Sequence, residues 1–278
     1  MYNETMYERG NAPSAIRELF AYGMERKAQI GEDKVFDFSI GNPSVPAPDS
    51  VAETIRELAD MAPAQLHAYS AAQGLESTRT AIAENLNKRF GTHYTADNLY
   101  LTMGAAACLS ACFTALIEPG DEIIVIAPYF PEYRIWIEFA GGVCVEVPAR
   151  EDNFQIDLDA LEQAITEKTK AVVINTPNNP VGTVYTRETL EGLADVLVQA
   201  EQKFDHDIYL ISDEPYRELT YGVEVPWVPA IYPNTLVCYS WSKSLSLPGD
   251  RIGYVLVPNE VHDSREVYLA VCGAGRSL

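Results

Sequence analysis

A chain of 278 residues with 47% hydrophobic content is long enough for one large domain, or a large and a small one, around a sizeable core. With 40 acidic residues against 20 basic ones the formal net charge is −20, which repels nucleic-acid phosphates and anionic membranes and argues against both as partners. Residues 1–10 are polar and acidic without an apolar signal core, and no run approaches the roughly eighteen apolar residues of a membrane span, so the sequence predicts a cytoplasmic protein.

Five cysteines stand singly in apolar stretches, as buried free thiols would, and the four histidines lie far apart with no ligand at metal-site spacing. No metal site is expected.

In chain order, Ile16, Leu19, Phe20, Met24 and Ile30 fall at near-helical spacing and predict an amphipathic helix over 13–30, ending at Gly31. The apolar stretch 35–40 predicts a short strand. It is broken by Gly41-Asn-Pro-Ser-Val-Pro-Ala-Pro48, which cannot continue regular structure, so a domain boundary is expected near Pro48: 1–48 is part of a small domain, 49–278 a large one. Helices are expected over 50–61 and 75–89, with the loop Tyr69-Ser-Ala-Ala-Gln-Gly74 between them.

From Leu99 a short apolar strand turns at Gly104 into an alanine-rich helix. Small residues there, Ala105 and Ala106, leave the first N–H groups of the helix open to an anion, where the helix dipole places about half a positive charge. The turn lacks the G-x-G-x-x-G pattern of a dinucleotide site. Further strands are expected over 121–127, 142–147, 171–175 and 208–216, and two more over 235–239 and 252–257, making seven. The loop after the second strand carries Pro128-Tyr-Phe-Pro-Glu-Tyr133, and the fourth strand runs into Asn175-Thr-Pro-Asn-Asn-Pro-Val-Gly182. The fifth ends in Asp213, a carboxylate that is costly at the end of an apolar strand unless a cation meets it.

The sixth strand leads into Ser240-Trp-Ser-Lys-Ser-Leu-Ser-Leu-Pro-Gly-Asp-Arg251. Behind a buried strand, desolvation favours the neutral amine of Lys243, which can add to an aldehyde. Ser240, Ser242 and Arg251 around it suit a phosphate dianion, so the set points to an aldehyde that carries a phosphate, which describes pyridoxal 5′-phosphate.

Ser-x-Ser-Lys with Pro248-Gly249 and Arg251 behind it, the Asn-x-x-Asn-Asn-Pro-x-Gly run and the strand ending in Asp213 together resemble the fold-type I pyridoxal-phosphate enzymes, in particular the aspartate aminotransferase family. The resemblance implies a three-layer α/β/α domain with a mostly parallel seven-stranded sheet. It implies an internal aldimine on Lys243, with Ser240, Arg251 and the turn Gly104-Ala105-Ala106 at the phosphate. Asp213 would face the pyridine nitrogen, Asn179 and Tyr216 the phenolate oxygen, and Tyr129 would stack on the ring. Gly41 and Asn179 would lie near the substrate carboxylate. Tyr69 would reach the partner subunit's cofactor phosphate, implying a homodimer with shared sites.

The expected reaction is amino transfer between an L-amino acid and a 2-oxo acid. The alternatives are a beta carbon–sulfur lyase using the same cofactor and a cofactor-binding regulator without turnover, against which the acidic charge and the lack of a DNA-binding region argue. By that comparison the chain stops in mid-fold at Leu278, before the family's carboxylate-gripping arginine, so slow turnover is expected of it.

Overall fold

The computed structural model describes residues 1–12 and 15–277 and divides them into two compact units, Met1–Pro46 and Ala47–Leu278. In the first unit, helix α1 (Glu4–Asn11) begins where the Asn3 side chain accepts a hydrogen bond from the Met6 N–H at 3.2 Å. Helix α2 spans Ala15–Ile30 and ends against Gly31 at φ +101°. Of the helix expected over 13–30, residues 13 and 14 lie outside the described residues.

The strand expected over 35–40 is absent, and the segment has no regular structure. The carboxylate of Asp37 takes the backbone N–H of Ser39 at 3.0 Å, its hydroxyl at 2.6 Å and the Lys27 ammonium at 3.1 Å. This side chain folds the segment back on itself, so the Ser39 N–H is not offered to a neighbouring strand. Phe36 and Phe38, at 83% and 92% exposure, contribute no buried face to stabilise one.

The second unit opens with α3 (Asp49–Ala59), α4 (Pro63–Leu66) and α5 (Glu76–Phe90). It continues β1 (Leu99–Thr102), α6 (Ala105–Leu116), β2 (Glu122–Ala127), α7 (Glu132–Phe139), β3 (Val143–Pro148), α8 (Leu158–Ala164), β4 (Thr169–Asn175) and α9 (Arg187–Phe204). The last elements are β5 (Tyr209–Asp213), β6 (Thr235–Ser240), α10 (Trp241–Ser244), β7 (Gly253–Leu256) and α11 (Ser264–Ala274). The strands form one sheet in the order β1-β7-β6-β5-β4-β2-β3, parallel except at β7, which runs against both of its neighbours. This is the mostly parallel seven-stranded α/β sheet that the sequence predicts.

Period-2 alternation assigns each strand residue to a layer. Ile123, Val125, Val173, Ile211 and Cys238 pack with α6, α7 and α11, whereas Ile124, Ile126, Val172, Ile174 and Leu210 pack with α8 and α9. Both faces are therefore covered, which makes three layers. A third cluster seats Ile82, Ala83 and Leu86 of α5 on Leu99, Val237 and Leu256. Each fully buried aliphatic or aromatic side chain in these layers contributes about 1.5–3 kcal/mol. Four of the five cysteines are buried and Cys144 is half-buried; all are free thiols. Among the described residues no helix is long and apolar enough to cross a membrane.

The register fixes where the chemistry lies. Asn175 pairs with Asp213, Asp213 with Cys238, Ser240 with Gly253 and Gly253 with Thr102. The ends of β4, β5, β6 and β1 and the start of β7 thus form one edge of the sheet, where ligands bind in parallel α/β sheets.

Candidate active site

Two glycines let the backbones approach at this edge. Gly104, at φ +85°, caps α6, and a Cβ on it would lie 2.8 Å from Nη2 of Arg251. A Cβ on Gly253 would lie 2.5 Å from the carbonyl oxygen of Tyr239 and 2.9 Å from the carbonyl carbon of Gly104. Arg251, itself at φ +55°, donates from Nη1 to the Pro248 carbonyl at 3.0 Å and from Nη2 to the Met103 carbonyl at 3.3 Å. The guanidinium is thereby held beside the first turn of α6, where Ala105 and Ala106 are half-buried. Ser240, at the end of β6, and Ser242 are buried; Lys243 between them and Arg251 is half-buried. Burial, and after it the positive charge of Arg251, lowers the pKa of Lys243. Both effects favour the neutral, nucleophilic amine.

Asp213 ends β5 at 6% exposure. Its Oδ2 accepts from the Tyr133 hydroxyl at 2.5 Å, while the buried Oδ1 has no partner among the described residues. Burial pushes its carboxyl up to about 7; the Tyr133 hydrogen bond opposes that rise and the charge of Glu214 adds to it. Asn175 joins the strand ends, donating from Nδ2 to the Asp213 carbonyl at 2.8 Å and accepting the Asn179 N–H on Oδ1 at 2.6 Å. The Tyr216 hydroxyl is pushed up to about 12 by burial and then by the charge of Asp213, against a hydrogen bond with the Asn179 side chain. Asn179 and Tyr216 therefore meet, as two donors to one oxygen would.

The remaining candidates have other partners or surroundings. Tyr129 turns its hydroxyl to Glu146 of β3 at 2.5 Å, which Arg134 also binds, and its ring lies nearly parallel to that of Tyr133 with centroids 6.2 Å apart. Tyr69 is fully exposed at 106% and borders a cleft of about 480 Å³ shared with Tyr100, Thr102 and Met103. A larger cleft of about 780 Å³, lined by Arg150, Asp157 and Thr186, likewise leaves Lys243 out. Gly41 belongs to the first unit and is exposed.

Two participants carry no clear sequence signal. Tyr133 shows only as an aromatic four residues after Tyr129, and Asn175 only as the first residue of the asparagine-proline run.

These residues fit pyridoxal phosphate. The unpartnered Oδ1 of a fully buried carboxylate suits a ring N–H, and the two glycines with Arg251 leave open backbone at a helix N-terminus for a phosphate. A half-buried amine with lowered basicity lies beside that guanidinium, where an aldehyde can be met.

Known proteins agree with this geometry. The family model "Aminotransferase class I and II" matches residues 33–272. The aspartate/prephenate aminotransferase of Thermus thermophilus is 37% identical over 251 residues, covering 90% of this chain, and the chain spans 62% of that relative's length. An aminotransferase structure from Eubacterium rectale superimposes with a TM-score of 0.97 at 58% identity, over 100% of this chain and 70% of its own. The aspartate aminotransferase of Thermus thermophilus with maleate gives a TM-score of 0.82 at 32% identity, over 100% and 69%. The chain belongs to the class I and II aminotransferases, whose cofactor is pyridoxal 5′-phosphate.

Proposed function

We propose that this chain carries the cofactor site of an aminotransferase that moves an amino group between an L-amino acid and a 2-oxo acid. The observation that carries the reading is the buried Asp213, one oxygen bound by Tyr133 and the other without a partner among the described residues, at the sheet edge that also presents Lys243 and Arg251. When bound, the cofactor supplies an aldehyde for the amine and a protonated ring nitrogen that draws electron density from the substrate's alpha carbon.

In this reading Lys243 Nζ is the nucleophile toward the aldehyde and then accepts and returns the proton at the alpha carbon. Asp213 holds the ring proton. Ser240, Ser242, Arg251 and the turn Gly104-Ala105-Ala106 orient the phosphate, and Asn179 and Tyr216 donate to the phenolate oxygen. Asn179 also approaches the substrate carboxylate. The ring-stacking role that the resemblance assigns to Tyr129 has a second claimant in Phe130. Phe130 lies edge-on to Tyr133 with centroids 6.0 Å apart, while the hydroxyl of Tyr129 is bound at β3.

We extend the proposal to a cytoplasmic homodimer with residues 1–48 in a small domain. The exposed ring of Tyr69 supports a partner-facing role, and five free thiols suit a reducing compartment. Aspartate is the first amino donor to test, because relatives named for aspartate share over 30% identity with this chain. The protein, loaded with pyridoxal phosphate and reduced with borohydride, should yield one labelled peptide containing Lys243. Aspartate with 2-oxoglutarate should give glutamate, with nitrogen conserved. A label on another lysine, or release of ammonia with pyruvate from a β-thio amino acid such as cysteine in place of glutamate from aspartate, overturns the proposal.

A further inference from the structure

We propose that Tyr133 is a positioning residue that acts through Asp213: its hydroxyl occupies one carboxylate oxygen and so dedicates the other to the cofactor's ring nitrogen. The inference rests on the cofactor reading above and adds to it a residue whose sequence context carries no signal of such a role.

A carboxylate on a Cβ stem has torsional freedom and two equivalent oxygens. Held only by a ring N–H at the sheet edge, it could rotate or present either oxygen. Tyr133 removes that freedom. It lies on α7 with its ring packed on Tyr129, Phe130 and Trp136 at centroid distances of 6.2, 6.0 and 6.3 Å, which holds the ring that places the hydroxyl 2.5 Å from Oδ2. Both partners are buried, where a hydrogen bond to a charged group is strong because no water competes. Of the two carboxylate oxygens, Oδ1 is the one without a partner among the described residues.

The same bond favours the anion. The titratable groups around Asp213 are Tyr133 from α7, Glu214 and Tyr216 from its own segment, and Cys238 opposite on β6. Glu214 is ion-paired with Arg217, whose Nε contacts it at 2.5 Å, yet its charge still adds to the rise at Asp213, and burial raises the pKa of both Tyr133 and Cys238, keeping them uncharged. Of these groups only Tyr133 opposes the burial that drives Asp213 toward protonation. Without its hydroxyl the anion needed by a protonated ring nitrogen would persist only at higher pH.

The test is cofactor affinity across pH, measured by absorbance and equilibrium dialysis on the whole chain. Wild type must first bind pyridoxal phosphate through Lys243; failure there overturns the cofactor reading itself and this inference with it. Given that binding, Tyr133→Phe should weaken affinity roughly tenfold at neutral pH and move the midpoint of its pH profile upward. In the Asp213→Asn background the same substitution should change affinity less than about twofold, since the carboxylate it acts through is gone. Replacement of Tyr133 by 3-fluorotyrosine, a stronger donor of nearly equal size, should move the midpoint downward, and it keeps the test open should the phenylalanine variant not fold. An unmoved profile in both variants, or an equal loss with and without Asp213, overturns the proposal.

Discussion

Asn175 at the end of β4 donates from Nδ2 to the backbone carbonyl of Asp213 at the end of β5, at 2.8 Å. Its Oδ1 accepts the N–H of Asn179 at 2.6 Å, so one buried amide sets both the strand end that carries Asp213 and the loop that carries Asn179. Asn175→Ala strands a buried carbonyl and a loop N–H together, a cost of about 2–4 kcal/mol. Urea unfolding should show that loss. Asn179→Ala, at a half-exposed position, should cost clearly less in the same assay while still lowering cofactor affinity.

The strands of the second unit were readable from sequence because they are short apolar runs, most of them closed by Gly, Pro or Asn, and both faces of the sheet are covered. Residues 35–40 have the same apolar look, yet Asp37 within them takes the bonds that a strand partner would need. Local composition does not reveal where a backbone N–H goes. Lys243, Arg251 and Asp213 stood out because a cation among serines and a carboxylate ending an apolar strand are chemically expensive arrangements. Tyr133 did not, since a tyrosine on a helix reads as packing until Asp213, 80 residues away in sequence, is found against its hydroxyl.

Gly104 and Arg251 share one small volume, because a Cβ on the glycine would come within 2.8 Å of the guanidinium. Gly104→Ala adds backbone strain at φ +85° and pushes Arg251 off the Met103 carbonyl. The variant should therefore lose preference for the phosphorylated cofactor. Pyridoxal phosphate affinity should fall about 10–100-fold, the range of one charge-assisted hydrogen bond, while affinity for pyridoxal, which lacks the phosphate, should stay near wild type. Arg251→Ala should behave alike. Equal losses for both ligands would mean that the turn supports the fold and not the phosphate.

The two aromatic neighbours at 129 and 130 give opposite expectations. The hydroxyl of Tyr129 is tied to Glu146, which Arg134 also binds directly, so Tyr129→Phe should remove one of two contacts at β3 and leave bound-cofactor absorbance unchanged. Phe130→Ala should lower cofactor affinity several-fold and shift the absorbance, as loss of a ring from the pyridine face would. A larger effect at 129 than at 130 would return the stacking role to Tyr129.

Asp213 makes the stability of the cofactor-free protein fall as pH rises. Its folded pKa, raised by burial to about 7, lies above the ordinary carboxylate value of 3.8, so between these two values the folded state holds a proton that the unfolded chain has lost. Unfolding therefore releases a proton in that window, and stability contributed by this group is complete below about pH 4 and is lost progressively up to about pH 7. The full swing is on the order of 4 kcal/mol at most. Asp213→Asn, which cannot ionise, should abolish this slope and melt higher than wild type at pH 8 when both lack cofactor. Adding pyridoxal phosphate should reverse the ranking, because the wild-type anion then meets a protonated ring nitrogen while the amide does not. Asp213→Asn should still bind the cofactor and retain little transamination. Thermal unfolding at pH 5 and pH 8, with and without cofactor, gives four measurements per variant, and an unchanged pH slope in Asp213→Asn would show that other groups carry it.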